Sequence, residues 1–297
     1  MMEKMKNALT GPGEHTLLGL PVDRRILFSD AKGIYKPRIQ KRQTKLIERI
    51  SFMKPFLQEG EKIILVTTGC SPISVLEQFL TGWLVFYLKR CLLVFTDRRI
   101  FHIPTKANYS YRNSMAQILY ADCEKISVKG GALVVQYKNG EKERFNYVAS
   151  KERKKIKALL EAISLAGQQS KMGRRTHLCP RCARELNKDQ YTCTNCRLAF
   201  KDKVEGKRIS ILYPGGGYFY TDHPFLGIGD AITELGLMIV VVVSAIAVAR
   251  GFEEGIFLLV ISGILLVLEK VVSVFHSNHF VEEYIPREKE IRPRTER

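Results

Sequence analysis

Several features that would decide this chain's chemistry at once are missing from its 297 residues. There is no phosphate-cradling GxxxxGK loop, no HExxH helix, no GxSxG nucleophile turn and no kinase motif set, so none of those enzyme classes is written in it. Met1–Lys32 lacks the continuous apolar core and cleavage pattern of a secretory leader, so membrane insertion is expected to depend on a later segment. Cysteine is sparse and odd in number: seven residues, four of them in one stretch, which speaks against a disulfide framework and for a reducing compartment. Acid falls short of base, with 30 Asp and Glu against 47 Lys and Arg, for a formal charge of +17. That excess favours an anionic partner, lipid headgroups or nucleic acid, without choosing between them. Tryptophan occurs once, as Trp83.

What is present is organised around two apolar runs near the end, Leu226–Ala249 and Ile256–Phe275, joined by Arg250–Gly255. The first holds an uncharged core, Leu235–Ala249, and with its flank reaches the roughly 20 residues a helix needs to cross a bilayer. Counting from the link, Glu234 lies about 16 residues back and Lys270 about 15 residues on, so two antiparallel helices bring them to similar depth. They are read either as an ion pair near one membrane face or as two charges snorkelling separately to the headgroups. The link carries one Arg against two Glu, whereas the tail after Phe275 carries Arg287, Lys289, Arg292, Arg294 and Arg297. The positive-inside bias therefore places both termini in the cytoplasm and only the link outside.

From the N-terminus, residues 1–20, with Gly11-Pro-Gly13, read as a mobile lead. Around Lys36–Arg49, Ile39, Leu46, Ile47 and Ile50 are spaced among basic residues. This is a helix that either lies on an anionic leaflet or packs on the domain that follows. Residues 56–166 then read as one domain. Glu61–Thr67 is its first strand, and Arg90–Phe95 with Arg99–Ile103 form a hairpin turning at Thr96-Asp97. Ile118–Ala121, Lys125–Val128, Ala132–Tyr137 and Glu143–Tyr147 follow, with turns at Lys129-Gly-Gly131 and Lys138-Asn-Gly140. Ser150 is a candidate cap for a closing helix, Lys151–Ala166, with Ile156, Leu159, Leu160 and Ile163 on one stripe.

That order, with LQEGEKIIL at its start and LLVFTDRRIFHI in its middle, resembles the bacterial pleckstrin-homology-like and GRAM-type domains. The likeness rests on Gly60-Glu-Lys62, Thr96-Asp-Arg-Arg99 and the terminal helix. It implies a module that binds lipids or peptides and is not an enzyme. The chain departs from that pattern between Cys70 and Arg90, where it inserts ISVLEQFLTGWLVFYLK. This insertion is expected to be an interfacial helix with Trp83 and Tyr87 at headgroup level, or a long core strand pair.

After a basic linker comes the sharpest motif, Cys179-Pro-Arg-Cys182 and Cys193-Thr-Asn-Cys196, separated by ten residues. Each CxxC lets two thiolates grip one ion from a tight turn, and two such knuckles complete the closed tetrahedral set of structural Zn2+. The pattern resembles the short zinc ribbon, with Cys179, Cys182, Cys193 and Cys196 as ligands; His177 reads as a linker residue. PGGGYFYTDHPFLG, leading into the first apolar run, looks like the entry segment of TM2-type two-helix membrane modules. Asp222 and His223 there read as a turn rather than an acid–base pair, and His276 and His279 as headgroup residues rather than shared metal ligands.

The expected fold is thus α+β and multidomain: a basic segment (1–55), a PH-like antiparallel sheet with a C-terminal capping helix (56–166), a linker (167–177) and a zinc ribbon (178–202). A membrane-entry segment (203–225), an α-helical transmembrane hairpin (226–275) and a charged tail (276–297) complete it. The expected protein is a non-enzymatic, multi-pass adaptor or sensor of a bacterial-type cytoplasmic membrane, with membrane lipids or a protein as partner. Nucleic-acid binding through the ribbon and the basic N-terminal segment is the alternative.

Overall fold

In the computed structural model, the described residues are 14–82 and 85–288. Gly11-Pro-Gly13, Trp83, Lys289 and the tail arginines Arg292, Arg294 and Arg297 lie outside them. The chain divides at Leu198/Ala199 into two compact units.

The first unit is built on an eight-stranded sheet and a three-stranded one. The large sheet runs β1 (Glu14–Leu17), β2 (Leu20–Asp23), β3 (Ile63–Cys70), β4 (Arg90–Thr96), β5 (Arg99–Pro104), β6 (Met115–Leu119), then β10 (Thr176–Leu178) and β11 (Glu185–Leu186). Neighbours pair antiparallel except β2 with β3, which are parallel through Val22 and Ile63. The small sheet is β7 (Cys123–Lys129), β8 (Ala132–Tyr137) and β9 (Lys142–Phe145), turning as expected at Gly130 and Gly131, both at positive φ. A bridge between Cys70 and Asn146 ties the two sheets.

The run Cys91-Leu-Leu-Val-Phe95 explains the layering. It is apolar without alternation and wholly buried, as in a strand covered on both faces. Cys91, Leu93 and Phe95 point into a core shared with Val135 and Phe145 of the small sheet and with Ile156 and Leu159 of the helix Ser150–Ala162. Leu92 and Val94 point the other way, onto Leu20, Val22, Leu27, Ile47, Ile50 and Met53.

Residues 14–56, expected to precede the sheet as a basic segment with a mobile lead, are therefore part of it. Their two strands extend the sheet beyond β3, and the helix Pro37–Arg49 packs on the second face. Of the two placements expected for that helix, the packed one is present: Ile47 is fully buried, and Gln43 exchanges side-chain hydrogen bonds with the backbone of Val66 at 2.9 and 3.1 Å. The closing helix begins at Ser150, with Ala149 as its cap residue and no side-chain cap hydrogen bond, and ends at Ala162. In the insertion, the described parts are two short helices, Val75–Thr81 and Val85–Leu88, so of the two expected forms the strand pair is not found among the described residues.

The second unit is helical: Lys203–Leu212, Gly216–Tyr220, Pro224–Ala249 and Glu254–Val281. The last two are the expected hairpin, lengthened at both outer ends. Both are long and apolar enough to cross a membrane. The core helix of a soluble protein would bury such side chains, yet Ile239, Val243, Phe257 and Val267 are all more than half exposed. The glycines before the hairpin allow close approach. Gly215 is at φ +67, and a Cβ there would fall 2.1 Å from the Gly227 carbonyl; one on Gly217 would fall 2.2 Å from Ser210 Oγ.

Candidate functional site

The four cysteines converge. Their sulfurs all lie within 4.8 Å of one another, with Cys179 Sγ to Cys196 Sγ at 3.4 Å and Cys182 Sγ to Cys193 Sγ at 3.6 Å. These separations exceed a disulfide bond of about 2.0 Å and approach the roughly 3.8 Å edge of a tetrahedron with 2.3 Å metal–sulfur arms. The set can hold a metal ion.

The two knuckles are built alike, which is why two CxxC repeats fold to one site. Ala183 and Arg197, each following the second cysteine, take positive φ and donate back to Cys179 and Cys193 carbonyls at 2.9 and 3.0 Å. Cys179 and Cys193 donate in turn to the carbonyls of Arg184 and Leu198 at 2.8 and 2.9 Å. Burial raises the Cys179 thiol, against hydrogen bonds from the backbone N–H groups of Arg181 and Cys182. Burial opposes ionisation at Cys182 too, but the N–H of Arg184 and the Asn195 side chain bring that thiol down to about 7. A turn that directs N–H groups at sulfur stabilises thiolates, the form that binds metal.

The ribbon does not stand apart. Thr176–Leu178 pairs with Met115–Gln117 at the sheet edge, and Gln117 Nε2 donates to Glu185 Oε1 at 2.7 Å. The expected linker boundary at residue 177 thus falls inside a strand. His177 lies in that strand and is not among the four clustered ligands.

The residues that carry the PH-like likeness also meet in space. Glu61, fully buried, takes the Thr96 hydroxyl at 2.8 Å and the Arg99 guanidinium at 3.0 and 2.7 Å, and Arg99 also donates to Phe56 O at 2.9 Å. Lys62 N donates to Asp97 Oδ1 at 3.0 Å. With Glu61 and Arg99 saturated and buried, this network staples β3 to the β4–β5 turn and leaves those two groups no ligand to bind.

Sequence reasoning missed one polar cluster. His102 Nε2 lies 2.8 Å from Ser71 Oγ, and His102 Nδ1 lies 3.0 Å from Arg175 Nη1, whose Nε reaches Glu143 Oε1 at 2.9 Å. No local spacing links positions 71, 102, 143 and 175, so only the fold brings them together. Although it contains a Ser–His pair, the cluster is not a nucleophile and its base. A guanidinium only donates, so Nδ1 accepts, the proton sits on Nε2, and the ring donates to Ser71 rather than deprotonating it.

Burial, reinforced by Arg175, holds His102 well below the usual imidazole range. Unfolded, it titrates at about 6.5, so its contribution to stability is complete above that pH and is lost as pH falls below it. We expect stability to decline with a slope of up to about 1.4 kcal/mol per pH unit below pH 6.5, and to decline less in His102→Gln. Denaturant midpoints of both proteins at pH 7.5 and 5.5 check this; equal losses would refute it.

In the hairpin, Lys270 Nζ lies 2.6 Å from Glu234 Oε2 and donates to Ser210 O at 2.9 Å, so of the two expected arrangements the ion pair is present. Asp230 and Glu269 bring carboxylate oxygens to within 4.8 Å of Glu234. Asp222 pairs with Lys201 at 2.6 Å and His223 stacks on Phe280 at 3.9 Å, consistent with a turn. His276 meets Tyr218 OH at 2.5 Å, while His279 faces Glu282 at 3.9 Å.

The class these features define is a mixed α+β chain with a large sheet, a four-cysteine group and two helices able to cross a membrane. No protein-family model matches the chain, and no curated protein or solved structure matches it either.

Proposed function

We propose that this is a non-enzymatic adaptor or sensor held at the cytoplasmic face of a bacterial-type membrane, both termini inside. In this reading a PH-like domain and a Zn2+ ribbon dock lipid headgroups or a protein partner. The observation that carries it is the pair of long helices with apolar side chains outward, following a sheet unit that ends in a four-cysteine cluster.

The strand order supports the PH-like reading: four strands from Ile63 to Leu119 in sequence, three from Cys123 to Phe145, then one helix. Two CxxC knuckles with only thiolate donors favour zinc and a structural role, since no ligand position is left open for chemistry. Cys179, Cys182, Cys193 and Cys196 would hold the ion, which supplies cross-linking and no reaction. Anchoring acts by concentration: once the hairpin is inserted, weak contacts made by the sheet and the ribbon become intramolecular with respect to the membrane.

Membranes bearing the full chain should retain it through washing at pH 11. Cross-linkers placed at the exposed Lys41 and at Arg184 should capture a saturable lipid or protein neighbour. Release by the alkaline wash would refute the anchor. Steeply salt-dependent RNA or DNA binding by the reconstituted chain would transfer the reading to a membrane-tethered nucleic-acid binder.

A further inference from the structure

The helix Val75–Thr81 is built inside out. Its acid, Glu77, is 1% exposed and sits 3.3 Å from Lys89, itself buried, while Val75 and Phe79 are 88% and 83% exposed and Leu76 is 52% exposed. A helix on a water-facing surface does the reverse, because burying an ion pair costs desolvation and exposed apolar side chains gain nothing. Ser74 caps the helix through Glu77 N at 3.0 Å, so it is a formed element and not a frayed loop.

Tyrosine and arginine side chains follow on the next short helix and at the start of β4. Tyr87, half-exposed on the next short helix, lies under the Arg90 guanidinium at 4.6 Å; Arg90 also covers Tyr109 at 5.2 Å, and Arg49 approaches the same ring at 5.8 Å. Tyr147, 60% exposed, meets Phe86 edge-on at 4.7 Å. Exposed aliphatic and Phe side chains, tyrosines and guanidinium groups are the chemistries that suit a leaflet's acyl chains, interface and phosphates.

We propose that the insertion between β3 and β4 is a second membrane contact: Val75, Leu76 and Phe79 enter an anionic leaflet shallowly, and Arg49 and Arg90 meet its phosphates. The proposal rests on the membrane-anchored reading above. Charge complementarity favours an anionic leaflet as occupant, because Arg90 stacks on Tyr87 of the adjoining helix and shares the Tyr109 ring with Arg49.

The test uses Trp83, the chain's only tryptophan, whose emission reports this segment alone. Full-length protein is reconstituted into phosphatidylcholine–phosphatidylglycerol vesicles with or without bromine on the upper acyl carbons. Bromination is expected to lower the emission by about half or more, as for a residue near the interface. The quenching should shrink severalfold in Val75→Ser/Phe79→Ser, and should weaken when phosphatidylglycerol is left out. Equal emission from plain and brominated vesicles, with the chain still resisting extraction at pH 11, would overturn the proposal while sparing the anchor. A chain that washes out at pH 11 overturns both.

Discussion

Stripping the metal from the four-cysteine cluster, or replacing Cys193 with Ser, is expected to unfold Thr176–Leu198 and expose the sheet edge it covers, without melting the remainder of the sheet. The ribbon's own apolar contribution is small: Leu178, Leu186 and Leu198 are its buried aliphatic side chains, at about 1.5–3 kcal/mol each. Holding some 20 residues in place costs about 1–2 kcal/mol of backbone entropy per residue. A bound metal ion contributes folding free energy outright, which so few apolar side chains cannot replace. Because Thr176–Leu178 pairs with Met115–Gln117, the loss should spread to that strand's outer hydrogen bonds and stop there. Metal analysis should give one ion per chain before chelation and none after. Hydrogen exchange should accelerate in Thr176–Leu198 and on β6 alone; unchanged protection after complete metal removal would refute a structural role.

A second large loss is expected at Glu61→Ala. Arg99 is only 5% exposed and would be left as a buried cation with its principal counter-charge gone, a defect of about 3–5 kcal/mol. Replacing both partners, as Glu61→Leu with Arg99→Met, removes the unpaired charge and should recover most of that loss. Thr96 then keeps one acceptor, the Arg99 carbonyl at 2.9 Å, so its hydroxyl is not orphaned. Denaturant midpoints of the full chain in detergent, followed by near-ultraviolet signal from the sheet unit, separate the two cases. A double variant as unstable as Glu61→Ala would show that the staple acts through geometry and not through charge.

The same network shows why recognition from sequence reached only part of the way. Gly60-Glu-Lys62 and Thr96-Asp-Arg-Arg99 were legible as a motif, and the structure makes Glu61 and Arg99 a buried clamp rather than a binding surface. For the helix Pro37–Arg49 the sequence leaves two placements open, on an anionic leaflet or packed on the domain that follows; its few apolar positions, Ile47 above all, are enough to pack on a sheet face. The unbroken Cys91–Phe95 run was the signal that a second face needed covering.

What the sequence determined by itself are the features whose chemistry is local. Two CxxC turns separated by ten residues bring four sulfurs to one point, Gly130-Gly131 and Asn139-Gly140 set the tight turns of the small sheet, and two apolar runs reach the length of a bilayer crossing. Helical rise alone brings Glu234 and Lys270 to similar depth, and the structure decides that they pair. What only the tertiary structure decided are the features whose partners lie far along the chain: the covering of β4 by residues 14–56, the edge pairing of the ribbon, the Ser71–His102–Arg175 cluster, and the burial of Glu77 that turns Val75 and Phe79 outward. Spacing within a turn or a helix fixes geometry before folding, whereas which face a strand or helix buries depends on what the rest of the chain brings against it.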